Sequence, residues 1–535
     1  MDRPPHPVSN NAPATEFSAE RAMTHLAMIA RAPHPMGSAE HDAVRDYIVH
    51  TLRGLKLEPQ IQRITDRGQD FGMDGEVENI ACRLKGSSAG KAVLIVAHYD
   101  SVSAGPGASD DAVGVAALLE AARALKSLSQ LKRDVIFLFT DGEENGLLGA
   151  RAFVSSHPWA QDAGVVLNFE ARGNGGPSIM FETSNGNGPL ISNFAQAASH
   201  PVANSLSYEI YKRMPNTTDF TVFRRAGYQG LNFALIEGLE YYHTSLDSIS
   251  HVTVGSLQHQ GDYVLEMAKQ FGNVTSDIEK SANTVYFDVL GTFLVRYSLS
   301  AAMIFLGFAI ILTGLTLYLG FRKRYLTIGA CILGFISSFA GVIITTLGAW
   351  LVMWVALQMQ HVPRIHAGLR YHTMWYILAA SAVGLACGMA FYAWISKRIG
   401  AANLMAGTFL GWLSATILIN FYLPGGSYLL LWPLLFSLIG AIIVFARGNI
   451  TNAKLPIAAL SSIPAIVLLV PMIHKIYWAF AAQSGIIVGA LLGLLLSLLV
   501  APVIAEHKSR LSLVPASLAI TGVGLFVTAV AVSGM

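Results

Sequence analysis

Four stretches of the chain are apolar almost without interruption: 93–97, 135–139, 164–169 and 230–236. Continuous rather than alternating apolar character marks strands covered on both faces, as in a parallel sheet. Residues 57–64 and 77–84 alternate and predict two further strands beside the central one at 93–97. Helical spacing of apolar residues predicts helices at 17–29, from the cap Ser38 to about 52, 111–128, 188–199, 217–223 with Thr217 or Thr218 as cap, and 254–271. Strands alternating with helices predict an α/β fold, a mixed but largely parallel central sheet flanked by helices, over residues 17–280. Residues 1–16, rich in Pro and Asn, are expected to form a disordered linker. From 298 to 535 the pattern changes. Eight apolar segments of about membrane-spanning length, near 298–319, 327–357, 373–395, 402–422, 428–446, 456–474, 484–504 and 512–533, predict an all-α polytopic membrane domain.

Composition and charge sharpen this division. Of 535 residues 53% are hydrophobic and 13% charged, too apolar for a wholly soluble chain. From Gly291 onward 13 Lys and Arg face a single acidic residue, Glu506, which leaves 23 basic and 33 acidic residues before it. An acidic soluble half thus precedes a basic membrane half, and no nucleic-acid partner is expected. Three cysteines provide neither a disulfide framework nor a zinc motif. Trp350, Trp354, Trp375, Trp394, Trp412, Trp432 and Trp478 fall mostly toward segment ends, as interfacial anchors do. Charges lie almost wholly in loops, with His474 and Lys475 at a segment end, which disfavours a transport role; Pro424, Pro433, Pro464, Pro471 and Pro502 fit kinks in packed helices. The loops after odd-numbered segments hold Arg322, Lys323, Arg324, Lys397, Arg398, Arg447, Lys454, Lys508 and Arg510. The other side holds Arg296, Arg364, Arg370 and Lys475. This bias places the soluble half outside the cytoplasm. No apolar export segment precedes it, so a span before Met1 is expected to be missing.

Candidate chemistry gathers where the four strands end. The first runs into His98-Tyr99-Asp100 and, after a Gly-rich turn, Asp110-Asp111. The second ends on Asp141-Gly142-Glu143-Glu144, the third on Glu170, and the fourth leads to Tyr242-His243 and Asp247. Adjacent carboxylates repel one another and call for a cation. Each residue alone could be a surface charge or a cap; four strands delivering His, Asp or Glu to one sheet edge is a site. Two histidines with three or four carboxylates suit a pair of zinc ions bridged by a carboxylate and a water. His34, between prolines, reads as a loop residue, and Arg172 as a salt-bridge partner.

The order His-x-Asp, Asp, Glu-Glu, acid, Tyr-His resembles the dizinc aminopeptidases related to glutamate carboxypeptidase and glutaminyl cyclase. Followed by a multispanning region, it resembles the branch of endoplasmic reticulum metallopeptidases and vacuolar membrane proteases. The resemblance, over about residues 17–275, implies His98, Asp110, Glu144, Glu170 and His243 as zinc ligands, with Asp110, chosen over Asp111 by its spacing to Gly114, bridging two ions. His98 and Glu170 would complete one metal site, Glu144 and His243 the other. It implies Glu143 as general base, Asp100 as the carboxylate behind His98, and Tyr242 as a donor to the oxyanion. The position of Glu170 often holds Asp in that family. The implied activity is a membrane-anchored zinc aminopeptidase acting on peptides. A single-zinc glutaminyl cyclase-like enzyme, a non-catalytic receptor or scaffold, and a transport-coupled protein are the alternatives. Asp219 is expected near the site without binding metal.

Overall fold

The computed structural model describes residues 3–67, 74–359, 373–447, 454–480, 484–506 and 513–533. The chain divides into two compact units, Met1–Ser298 and Leu299–Met535.

In the first unit the elements follow in the order α1 (Ala19–Ile29), α2 (Ala39–Gly54), β1 (Gln60–Arg67), β2 (Asp74–Leu84), β3 (Ala92–His98), α3 (Ala112–Lys126), β4 (Val135–Thr140), α4 (Leu148–Ser156), β5 (Ala163–Ala171) and β6 (Ile179–Thr183). There follow α5 (Gly188–Ala197), α6 (Ser205–Tyr211), α7 (Asp219–Arg225), β7 (Gln229–Leu235), α8 (Val254–Asn273) and the hairpin β8 (Thr284–Val289) and β9 (Phe293–Ser298). Seven strands form one sheet in the order β1-β2-β4-β3-β5-β7-β6. The middle four, β4, β3, β5 and β7, are parallel; β2 and β6 run against them, and the edge strand β1 pairs antiparallel with β2. Every residue of β3, β4 and β7 is buried. Alternate residues of β3 and β4 feed two separate cores, one under α1, α3 and α8, the other under α4 and α7, while Leu231, Phe233 and Leu235 of β7 join the first. That two-sided burial is why the strands read as unbroken apolar runs.

Local chemistry sets the helix starts. Ser38 Oγ accepts from His41 N at 3.1 Å, Asp111 caps α3 through Gly114 N, and Thr218 caps α7 with the reciprocal bond from Thr221. Three expectations need correcting. The strands at 57–64 and 77–84 do not flank β3; β4 intervenes, because a β3–α3–β4 unit closes right-handed and places β4 there. The short edge strand β6 and the hairpin β8–β9 escaped the sequence reading. The segment before α1 is no disordered linker. Val8 N–H donates to Gln258 Oε1 at 2.9 Å, Ser18 Oγ donates to Val8 O at 2.9 Å, and Arg21 and Arg123 hold the carbonyls of Asn10 and Ala14. Both arginines also pair with the fully buried Glu120, so a charge pair deep in the fold anchors the segment.

The second unit holds eight helices among the described residues: α9 (Leu299–Arg322), α10 (Ile328–Met359), α11 (Thr373–Ile399), α12 (Ala401–Tyr422), α13 (Tyr428–Arg447), α14 (Lys454–Phe480), α15 (Gly485–Glu506) and α16 (Leu513–Ser533). Each expected segment lies on one of them. Seven are long and apolar enough to cross a membrane, whereas α15 contributes the shorter apolar stretch Gly485–Leu499. Glycines let α10 approach its neighbours closely. A Cβ on Gly407 of α12 would lie 2.3 Å from the Gly334 backbone, and one on Gly341 would strike the Tyr392 ring at 2.2 Å. Two readings shift. Trp412 is no interfacial anchor; it is buried in mid-helix and donates to Ser497 Oγ at 2.9 Å. His474 and Lys475 lie within α14, whose helix continues to Phe480, and His474 accepts from Trp478 Nε1 at 3.0 Å. Arg364, Arg370, Lys508 and Arg510 lie outside the described residues.

Candidate metal centre

Strand order creates the site. After β3 the chain crosses to β4 on one side, then returns over β3 to β5 on the other. The carboxyl ends of β3 and β5 therefore flank a topological switch point, where open α/β sheets leave a crevice. His98 is the last residue of β3 and Glu170 the last but one of β5, so they face each other across it. The turn after β4 brings in Glu143 and Glu144. Gly142 sits there at φ 67°, and a Cβ on it would press on Met36 Sδ at 2.8 Å. Asp110 arrives through a turn at Gly107, φ 60°, and precedes the cap of α3. His243 follows β7 and holds φ 56°, a left-handed conformation uncommon for a residue with a side chain.

The residues converge as two groups that share one carboxylate. His98 Nε2 lies 3.2 Å from Asp110 Oδ1 and 3.6 Å from Glu170 Oε2. His243 Nε2 lies 3.1 Å from Asp110 Oδ2 and 3.0 Å from Glu144 Oε1. Within each group the ligand atoms lie within 4.8 Å of one another. An imidazole nitrogen with two carboxylate oxygens in each group is a donor set that suits zinc. Asp110 gives one oxygen to each group, as a bridging carboxylate must.

The electrostatics of the cluster favour a cation. Burial alone would lower the pKa of His243, yet its hydrogen bonds to Asp110 and Glu144 overcome it and raise it to about 10. His98, equally opposed by burial, is raised well above its ordinary value by Asp100, Asp110 and Glu170. Burial and then the charge of Asp110 push Glu144 up to about 7, and burial with the neighbouring Glu170 raises Glu143 strongly. Asp110, flanked by both imidazoles, stays low in spite of its burial.

Around these groups a second layer fixes their positions. Asp100 was expected to back His98 through its carboxylate. The nearer contact to His98 Nδ1 is instead the Asp100 backbone oxygen at 3.0 Å, with Oδ1 at 3.5 Å. The carboxylate accepts the N–H groups of Glu143 and Glu144 at 3.1 and 3.2 Å, tying the β3 end to the turn after β4. Asp247 does the same for the Asp110 turn, accepting from Ser109 N at 2.8 Å and Asp110 N at 3.2 Å. Its role was invisible in the sequence, because nothing in its spacing from His243 shows that the loop folds back onto Gly105 and Ser109. Asp219 lies by the site as expected, accepting from Thr140 Oγ1 at the end of β4. Tyr242 stacks on the His243 ring with centroids 3.7 Å apart. Burial, then the carboxylates of Asp110 and Glu144, keep its phenol protonated and able to donate. His34 is a buried loop residue, its N–H donating to Ser101 Oγ at 2.9 Å. Arg172 follows β5, half-buried, its backbone N–H donating to Leu235 O at 2.8 Å.

Parts of the chain are similar to known proteins. Residues 79–268 match the model of peptidase family M28. Endoplasmic reticulum metallopeptidase 1 of Homo sapiens is 33% identical over 341 residues, which cover 58% of this chain and 37% of that protein. Vacuolar membrane protease of Candida dubliniensis is 34% identical over 280 residues, covering 50% of this chain and 30% of that one. The chain thus matches about a third of the length of these relatives. Among solved structures, Porphyromonas gingivalis glutaminyl cyclase is 24% identical, with a TM-score of 0.41, and the match covers 48% of this chain and 99% of that one. With its sheet-edge histidines and carboxylates in place, the chain carries a peptidase family M28 domain, followed by a unit of apolar helices.

Proposed function

We propose that this protein is a membrane-anchored zinc exopeptidase that hydrolyses peptide bonds at free N-termini. The observation that carries the reading is the pair of ligand groups sharing Asp110. His98, Asp110 and Glu170 would hold one ion, and Asp110, Glu144 and His243 the other. Bound zinc would supply Lewis-acid polarisation of the scissile carbonyl and a lowered pKa for the attacking water. Glu143 takes the proton from that water and returns it to the leaving amine. The Tyr242 hydroxyl donates to the oxygen that gains charge as the carbonyl is attacked. Asp100 keeps Glu143 and Glu144 in place through their backbone, and Asp247 holds Asp110.

A peptide library with free N-termini, run beside an N-acetylated one on purified protein, tests the reading. We expect cleavage of the free library alone, loss of activity on chelation, and about two zinc ions per chain. Cyclisation of N-terminal glutamine with one ion per chain would favour the cyclase reading. Zinc binding without turnover of either library would favour a receptor.

The peptidase unit is proposed to face away from the cytoplasm. The connection after α9 carries Lys323 and Arg324, and α11 ends on Lys397-Arg398. The described connection between α12 and α13 has no basic residue. Of the residues on the opposite side, Arg296 lies in β9 just before α9, and Lys475 lies near the C-terminal end of α14. The basic residues at the ends of α9 and α11 support cytoplasmic odd-numbered connections. Protease added to sealed cells should degrade the peptidase unit; survival until the membrane is permeabilised would refute the placement.

A further inference from the structure

Beside the ligands runs a line of polar side chains that the proposed reaction does not use. Asn168 precedes Glu170 by two residues on β5 and so shares its face. Its amide nitrogen donates to Glu170 Oε1 at 3.2 Å and to Asn232 Oδ1 on β7 at 3.0 Å. Asn232 is its register partner across β5 and β7, and in turn faces Glu182 across β7 and β6. The Asn232 amide nitrogen donates to Glu182 Oε2 at 3.0 Å and to the α7 cap Thr218 Oγ1 at 2.9 Å. The other oxygen of Glu182 stands 3.0 Å from Arg224 Nε of α7, as a charge contact rather than an aligned hydrogen bond. Asn168, Asn232 and Glu182 are wholly buried.

Both N–H groups of each amide are committed, so neither asparagine can flip without stranding a buried donor. That order runs in one direction only. Glu182, held by Arg224, accepts from Asn232; Asn232 accepts from Asn168; and Asn168 donates its remaining hydrogen to Glu170. Glu170 has one more rotatable bond than aspartate would have at this position. With Oε1 held by Asn168, Oε2 is left facing His98 Nε2.

We infer that Asn168, Asn232, Glu182 and Arg224 form a positioning ladder that aims the Glu170 carboxylate and sets the zinc affinity of the His98–Asp110–Glu170 site. The inference rests on the metallopeptidase reading. None of the four touches the reacting atoms; each acts through Glu170.

Zinc titration of the full-length protein against a chromophoric chelator tests it. Wild type should show two binding steps, and Glu170→Gln identifies the step that belongs to this site. Asn232→Ala, Glu182→Ala and Arg224→Ala should each weaken that same step about 10- to 100-fold, the usual cost of losing an outer partner of a metal ligand. The other step should stay in place, and Arg224→Lys should recover most of the loss. The Arg224 side chain is 29% exposed, so its substitutions carry the test should the buried ones fail to fold. Variants that bind both ions as wild type does, or lose both steps together, overturn the ladder. A wild type that binds no zinc overturns the metallopeptidase reading and the ladder with it.

Discussion

Replacing Glu143 with Gln lowers peptide turnover by about 10²-fold or more and leaves the zinc content unchanged. The substitution keeps the size of the side chain and removes only its capacity to take a proton. Glu143 belongs to neither ligand group, whereas Glu144, one residue on, stands 3.0 Å from His243. Its backbone N–H remains bonded to Asp100 whichever side chain it bears, so the turn keeps its shape. Zinc analysis together with steady-state kinetics separates the two quantities. Turnover near that of wild type would remove Glu143 from the proton-transfer step, and a fall in zinc would make it a ligand.

The second large effect falls on the metal itself. Asp110→Asn should weaken both zinc sites in one substitution, beyond the roughly 10- to 100-fold expected for an outer partner, and activity should fall with the metal. Each oxygen of Asp110 belongs to a different group, 3.2 Å from His98 and 3.1 Å from His243. An amide supplies one oxygen and an NH2 group with two donors, so it cannot present an acceptor to both ions. Its backbone N–H stays bonded to Asp247, and Asp111 still caps α3, so the fold should persist. Dialysis against graded free zinc, read by metal analysis, measures the change. Loss of a single ion would show that Asp110 serves one site and does not bridge two.

Much of the site is legible in the chain because a parallel strand declares itself twice. It is a run of apolar residues, and its functional residues follow directly at the carboxyl end. His98, Glu143, Glu144 and Glu170 were found by that rule. His243 lies farther from its strand, but Tyr242 beside it supplied a pattern. Asp247 had no such signal, since its role depends on a loop returning to the Asp110 turn. Asp100 reads as the carboxylate behind His98, and its Oδ1 stands 3.5 Å from His98 Nδ1, but its bonds to the Glu143 turn leave no local signal. Which of its oxygens meets His98, and which meet the Glu143 turn, is settled by a strand pairing of β3 with β4 that no local sequence records.

The sequence by itself determined the division at the first apolar helix, the four central strands, the caps of α2 and α7, and the residues gathered at the sheet edge. These depend on burial period and short-range hydrogen bonds, both of which act within a few residues. Tertiary structure alone decided the strand order, which sets His98 and Glu170 either side of the switch point, and the packing of residues 3–15 against Gln258 and Arg123. It alone aligned Asn168, Asn232 and Glu182 into one line of hydrogen bonds. Those contacts join residues up to 250 positions apart. Their partners are chosen by which strands and helices pack together, and no period in the chain encodes that choice.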